Sequence, residues 1–219
     1  MARAVIFDFD GVIVHSEPTH LLAVREVVEP LGVRLAQETY YERYVHLPDR
    51  ELLRRLMADS GHEVGPRQLE HLLSAKHDAF EHHLQHGRQV HVYPGVLELI
   101  RACAARVPVG LCTAAQARTV RAVLGAVGGL SLFHAVTTAD DVPRSKPDPL
   151  PYQRTAELLG IPAPECVAIE DTVGGLTSAK GAGCRALAVG HTLPKERLTL
   201  ADRFVDRIAD ITVDALLAV

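Results

Sequence analysis

Short apolar runs alternate with helix-length segments along most of this chain, and that rhythm constrains its fold more than any other feature. Ala4–Phe7, Val107–Cys112, Ala135–Thr138, Cys166–Ile169 and Arg185–Val189 are brief, lack strict polar alternation and end at polar or glycine residues. Runs of that kind are strands buried on both faces, as in the interior of a parallel sheet. Helical patterns fill the gaps over Val96–Arg106, Ala117–Ala126, Leu150–Leu159 and Leu176–Gly181. Strand, helix and strand in repetition predict an α/β fold, a parallel sheet with helices on both faces.

One stretch breaks the rhythm. From about Glu17 to Gln89 there is helical periodicity without a convincing strand: Leu52, Leu53, Leu56 and Met57 recur at three- to four-residue spacing, as do Leu69, Leu72 and Leu73. Gly32, Leu47-Pro48 and Gly61–Pro66 divide it into roughly four helices. The expected division is therefore a core of residues 1–15 and 90–219 and an inserted helical cap of residues 16–89. Val12–Ser16 and Val90–Pro94 are the expected hinges, and the insertion is expected to act as a lid.

Bulk properties remove several function classes. With 23 basic and 27 acidic residues the net charge is −4, so no basic field invites nucleic acid. The longest weakly polar run, Val107–Ala115, is far short of the ~20 residues that span a bilayer, so no membrane partner is expected. Asp8 and Asp10 interrupt what would otherwise resemble the apolar core of a signal peptide. Cys103, Cys112, Cys166 and Cys184 form no CxxC pair and read as reduced, buried thiols of a cytoplasmic protein. A monomer or weak homodimer is expected.

The candidate chemistry lies at the ends of the predicted strands. Asp8 and Asp10 follow the first strand, and carboxylates separated by one residue share a side while the chain stays extended. Close carboxylates repel, so they call for a cation, a shared proton or free solvation. Glu170 and Asp171 close another strand, and Thr172 with Gly174-Gly175 is expected to open a tight turn after them. Acids at the ends of two parallel strands supply the oxygen-rich surroundings that Mg²⁺ prefers. Thr113-Ala114-Ala115 offers a hydroxyl and successive backbone N–H groups for a phosphate at the start of the next helix. Lys146 stands in a loop stiffened by Pro147 and Pro149.

In this order, DFDGVIVHSE, LCTAA, SKPDP and IEDTVGG resemble the four motifs of the haloacid dehalogenase-like hydrolases. The chain looks most similar to the subgroup of β-phosphoglucomutase and phosphoglycolate phosphatase, with a small helical cap. The resemblance implies a Rossmann-like core, Asp8 as a nucleophile forming an aspartyl-phosphate, and Asp10 as general acid and base. It also implies that Asp8, the Asp10 backbone carbonyl and Asp171 hold Mg²⁺, with Glu170 as a direct or water-mediated neighbour. Thr113, Ala114 and Lys146 would then bind the nonbridging phosphate oxygens, and Gly11 would border the substrate. An acid such as Asp10 is needed for an alkoxide leaving group and not for a halide, which favours phosphoryl transfer over dehalogenation.

A phosphatase and a phosphomutase both remain open at this level. His20 and Arg50 fall where the mutases carry a cap histidine and a cap arginine that grips a distal phosphate. Against a mutase, His46 and Leu47 replace a lysine and glycine, and Ala115-Gln116-Ala117 lacks the expected polar groups. The balance favours a phosphatase for a small phosphorylated metabolite, ahead of a phosphomutase, a phosphate-binding regulator or a phosphonatase. His82 and His86 have the i,i+4 spacing of a Zn²⁺ clamp, but no third ligand is evident, and an exposed helix face is the reading preferred.

Overall fold

A computed structural model of the chain describes residues 1–45, 47, 49–86 and 91–219, with side chains described at all of these except 84–86. His46, Val90 and the His86 side chain, all named above, lie outside that set. The chain divides into two compact units, Met1–His15 with His91–Val219, and Ser16–Val90.

The first unit is built on a sheet. Among the described residues six strands, β1 (Ala4–Phe7), β2 (Val109–Cys112), β3 (Ala135–Thr137), β4 (Cys166–Glu170), β5 (Arg185–Val189) and β6 (Arg203–Val205), pair in the order β3-β2-β1-β4-β5-β6. Every pairing is parallel. Strands β1, β2 and β4 are buried at every position, as their unbroken apolar runs require. The expected α/β class is what the chain adopts. Strand β6 has no counterpart among the expected elements: it is three residues long, half-exposed and at the sheet edge, and it lacks the apolar run that marked the others.

On one face Ala4, Ile6, Cys112, Cys166 and Ala168 pack with Tyr152 and Ala156 of the helix Leu150–Leu159, Ala179 of the helix Val173–Gly181, and Cys184. All four cysteines are buried and free. On the other face the helix Val96–Ala104 packs against β2 and the C-terminal helix Val213–Leu217. Gly110 of β2 faces Thr155 so closely that a Cβ there would lie 2.7 Å from the Thr155 methyl.

Two boundaries differ from the sequence reading in ways that matter below. Strand β4 runs through Glu170. The following helix starts at Val173 instead of Leu176, so Gly174-Gly175 forms its first turn and not a separate tight turn. The Thr172 hydroxyl caps that helix by accepting the Gly175 N–H at 3.1 Å.

The second unit contains helices Glu17–Val28, Gln37–Arg43, Asp49–Asp59 and Pro66–His86. Leu21, Val24, Tyr40, Tyr44, Leu53, Met57, Leu69 and Leu73 contribute to a core of its own. No helix among the described residues is long and apolar enough to cross a membrane.

Candidate active site

Strand register assembles the site. Phe7 lies opposite Leu111 on one side and Ile169 on the other, so one residue further on Asp8 falls beside the ends of β2 and β4. The Asp8 N–H continues the ladder to the Ile169 carbonyl at 3.1 Å, and the Thr113 N–H does the same to Thr137 at 2.9 Å. Asp8, Thr113, Glu170 and Asp171 thus converge at the carboxyl edge of a parallel sheet, where such folds bind ligands.

Lys146 enters from the loop between β3 and the helix Leu150–Leu159. Its ammonium donates to Asp8 Oδ1 and Glu170 Oε1, each at 2.6 Å, and to the Cys112 carbonyl at 2.9 Å. Glu170 is 0% exposed and has both oxygens engaged. Its Oε1 also receives the Tyr152 hydroxyl at 2.7 Å, and its Oε2 faces the Asp171 N–H at 3.3 Å. A Cβ on Gly175 would lie 1.9 Å from that carboxylate, so the glycine in the first helical turn makes room for it.

Burial, reinforced by the Glu170 charge and opposed by Lys146, pushes the Asp8 carboxyl up to about 8. Asp10 adds further repulsion. Burial alone would lower Lys146, but Asp8 and Glu170 outweigh it and hold the ammonium well above its ordinary value. The lysine therefore remains a cation, while the nucleophile candidate is held back from ionising first by burial and then by the Glu170 charge.

Asp8, Glu170 and Asp171 each bring a carboxylate oxygen within 4.8 Å of the others, and all three are buried. Three acids crowded at one buried spot resist ionising together, and a hard divalent cation such as Mg²⁺ fits their oxygen donors and would relieve that repulsion. Gly11 allows the close approach of Asp171: its φ is +76°, and a Cβ there would fall 1.7 Å from Asp171 Oδ2. Gly11 itself has its N–H donated to the Val14 carbonyl at 2.8 Å and its carbonyl engaged by His191, so its place beside the site is that of a spacer.

Thr113 is buried, and its Oγ1 accepts the Ala115 N–H at 2.9 Å, closing a turn that leaves Ala114 exposed. The next helix begins only at Ala117, whose N–H is taken by Asp140 at 2.9 Å. The Thr113 hydroxyl and the exposed Ala114 therefore lie on a turn that precedes the helix start.

His20 and Arg50 belong to the second unit. Lys76, 1% exposed, donates to both Asp49 oxygens and to His20 Nδ1, each at 2.8 Å, and His20 stacks on Phe80 with ring centres 4.0 Å apart. Burial and the adjacent ammonium pull His20 down to about 3, so it is a neutral ring with its proton on Nε2. Arg50 is exposed and paired with Glu70. His83 pairs with Glu26 at 2.8 Å, and no histidine joins a metal-ligand cluster among the described residues. Tyr152, bonded to Glu170, and Lys76, bonded to His20 and Asp49 within the second unit, are partners that no sequence motif marks. Within an amphipathic helix a tyrosine reads as core, and nothing local marks its hydroxyl as a partner of Glu170.

Residues 5–189 match the family model described as haloacid dehalogenase-like hydrolase. The chain is 29% identical to hexitol phosphatase B of Escherichia coli (strain K12), over 98% of this chain and 96% of that one. It is 27% identical to β-phosphoglucomutase of Bacillus subtilis (strain 168), over 98% and 93%. The crystal structure of CbbY from Rhodobacter sphaeroides in complex with phosphate superposes with a TM-score of 0.80 at 28% identity, covering 99% of each chain.

Proposed function

The chain belongs to the haloacid dehalogenase-like hydrolases, and from that premise we propose that it is a Mg²⁺-dependent phosphatase for a small phosphomonoester, a sugar phosphate or a phosphoglycolate-like acid. The observation that carries this reading is the Asp8 carboxylate, flanked by the Lys146 ammonium at 2.6 Å and clustered with Glu170 and Asp171.

In this reading Asp8 attacks phosphorus in line, and the ester oxygen leaves with a proton from Asp10. Asp8 then carries the phosphoryl group as an aspartyl-phosphate. Asp10, now a carboxylate, takes a proton from water, whose oxygen bonds to phosphorus as the bond to Asp8 breaks. Lys146, the Thr113 hydroxyl and the Ala114 amide hold the nonbridging oxygens and offset the repulsion between a phosphate dianion and Asp8. Mg²⁺ bound by Asp8, Asp171 and the Asp10 carbonyl, beside Glu170, would supply further electrophilic charge. From the helical unit, His20 offers a neutral Nε2–H donor and Arg50 a cation for selecting the substrate.

The relationship to a β-phosphoglucomutase keeps a phosphomutase as the second reading. Weighing against it, Ala115-Gln116-Ala117 offers no polar side chain but Gln116. A purely phosphate-binding regulator would need neither Asp8 nor Asp10 nor Lys146, and all three are present.

A Mg²⁺-dependent phosphate-release screen over small phosphomonoesters tests this, with β-glucose 1-phosphate and its 1,6-bisphosphate assayed in parallel for isomerisation. Phosphate release is expected on a few esters, lost in Asp8→Asn and reduced about 10²- to 10⁴-fold in Asp10→Asn. Rapid isomerisation with little free phosphate would establish the mutase instead.

A further inference from the structure

We propose that His191 is a positioning residue that sets the turn carrying Asp10, an inference that rests on the phosphatase reading for its effect on turnover. His191 follows β5, 180 positions from the turn it touches, and no motif includes it. Its Nδ1 lies 2.8 Å from the Gly11 carbonyl, and its Nε2 lies 3.1 Å from the Ile208 N–H. A backbone N–H only donates and a carbonyl only accepts, so both contacts together require a neutral ring with its proton on Nδ1. The ring plane is held as well, stacked on Tyr93 with centres 3.8 Å apart and planes at 20°.

The geometry gives this contact a purpose. The Gly11 N–H is donated to the Val14 carbonyl at 2.8 Å, which orients the Asp10–Gly11 peptide, since C=O and N–H point oppositely across a trans peptide. The bond from His191 orients the next peptide, Gly11–Val12. With both planes around a positive-φ glycine held, the Asp10 backbone has little freedom left. Glycine has the widest backbone freedom of any residue, so an external clamp matters most at such a position. Thr192 reinforces the approach: its Oγ1 lies 2.8 Å from where a Gly11 Cβ would stand. Tyr93, which backs the ring, is tied to the same segment through its N–H on the Ile13 carbonyl at 2.9 Å.

Two conservative variants separate the halves of this contact. In His191→Asn the amide nitrogen replaces Nδ1 and keeps a donor for Gly11. In His191→Gln the amide oxygen replaces Nε2 and keeps an acceptor for Ile208 only. Steady-state kinetics with Mg²⁺ and an accepted phosphomonoester should show kcat of the Gln variant lowered about tenfold, with KM moved less than about threefold, and the Asn variant within about threefold of the parent. Amide hydrogen exchange at Gly11 and Val14 should rise about tenfold in the Gln variant and stay near the parent rate in the Asn variant. Equal behaviour of the two variants, whether both intact or both impaired, overturns the proposal. If the parent protein releases no phosphate from any ester, the phosphatase reading falls, and the exchange comparison alone decides the clamp by the same criterion.

Discussion

Lys146, Glu170 and Tyr152 form one charged unit around Asp8, and the chemical character of each depends on the others. Lys146 stays protonated because two carboxylates face it, and Glu170 tolerates complete burial because an ammonium and a phenol hydroxyl both bond to Oε1. His20 shows the opposite effect. Buried beside the Lys76 ammonium, its folded-state value falls to about 3 from an ordinary 6.5. Below about pH 6.5 the unfolded chain gains a proton there that the folded protein refuses, so stability drains away as pH falls from about 6.5 towards 3. Thermal unfolding followed between pH 7 and pH 4 should therefore fall more steeply for the parent than for His20→Asn. Parallel slopes would count against this assignment of a neutral His20.

Among the elements, the strands were easier to read than their edges. β1, β2 and β4 are apolar at nearly every position because both faces are covered, and the pattern records that directly. β6 is half-exposed, so its three residues carry no comparable signal. Gly174 and Gly175 read as turn-formers, yet they open a helix, because Gly175 must leave room for Glu170 and that need is not local. Gly110 is a similar case in mid-strand. Thr155, which any side chain at 110 would strike, is pinned by bonds to Thr137 Oγ1 and the Pro151 carbonyl, both at 2.8 Å, and cannot easily turn away. Gly110→Ala is expected to destabilise the protein by about 1–3 kcal/mol through overpacking, measurable as a lowered midpoint in urea. An unchanged midpoint would mean that the helix Leu150–Leu159 shifts to accommodate the methyl group.

At the scale of the whole molecule, each of the two units has its own apolar core. The chain leaves the sheet-containing unit and re-enters it at adjoining points: the His15 N–H donates to the His91 carbonyl at 2.8 Å, and Val14 bridges Val92 in antiparallel fashion. Replacing residues 16–90 with a short Gly/Ser linker should consequently yield a core that unfolds cooperatively. Because the carboxylate cluster lies wholly in that core, Mg²⁺ should still raise its stability, by about 2.7 kcal/mol at a hundredfold excess over Kd. Discrimination among phosphomonoesters should be lost with His20 and Arg50. A shortened chain that unfolds without cooperativity, or gains nothing from Mg²⁺, would refute this division of labour.

What the amino-acid sequence determined by itself is whatever local pattern and short spacing encode. The α/β class follows from apolar runs separated by helical periods. Asp8, Thr113 and the Glu170-Asp171 pair stand out because reactive residue types sit directly at or beside strand ends, which a parallel sheet brings together, and Lys146 because two prolines stiffen its loop. Tertiary structure alone decided which groups answer one another across long stretches of chain. Tyr152 meets Glu170, Lys76 takes His20 and both Asp49 oxygens, and His191 takes the Gly11 carbonyl, each through hydrogen bonds between residues that carry no shared motif. A hydrogen bond is set by a few tenths of an ångström and a direction, and those emerge only once packing has fixed every backbone segment between the partners.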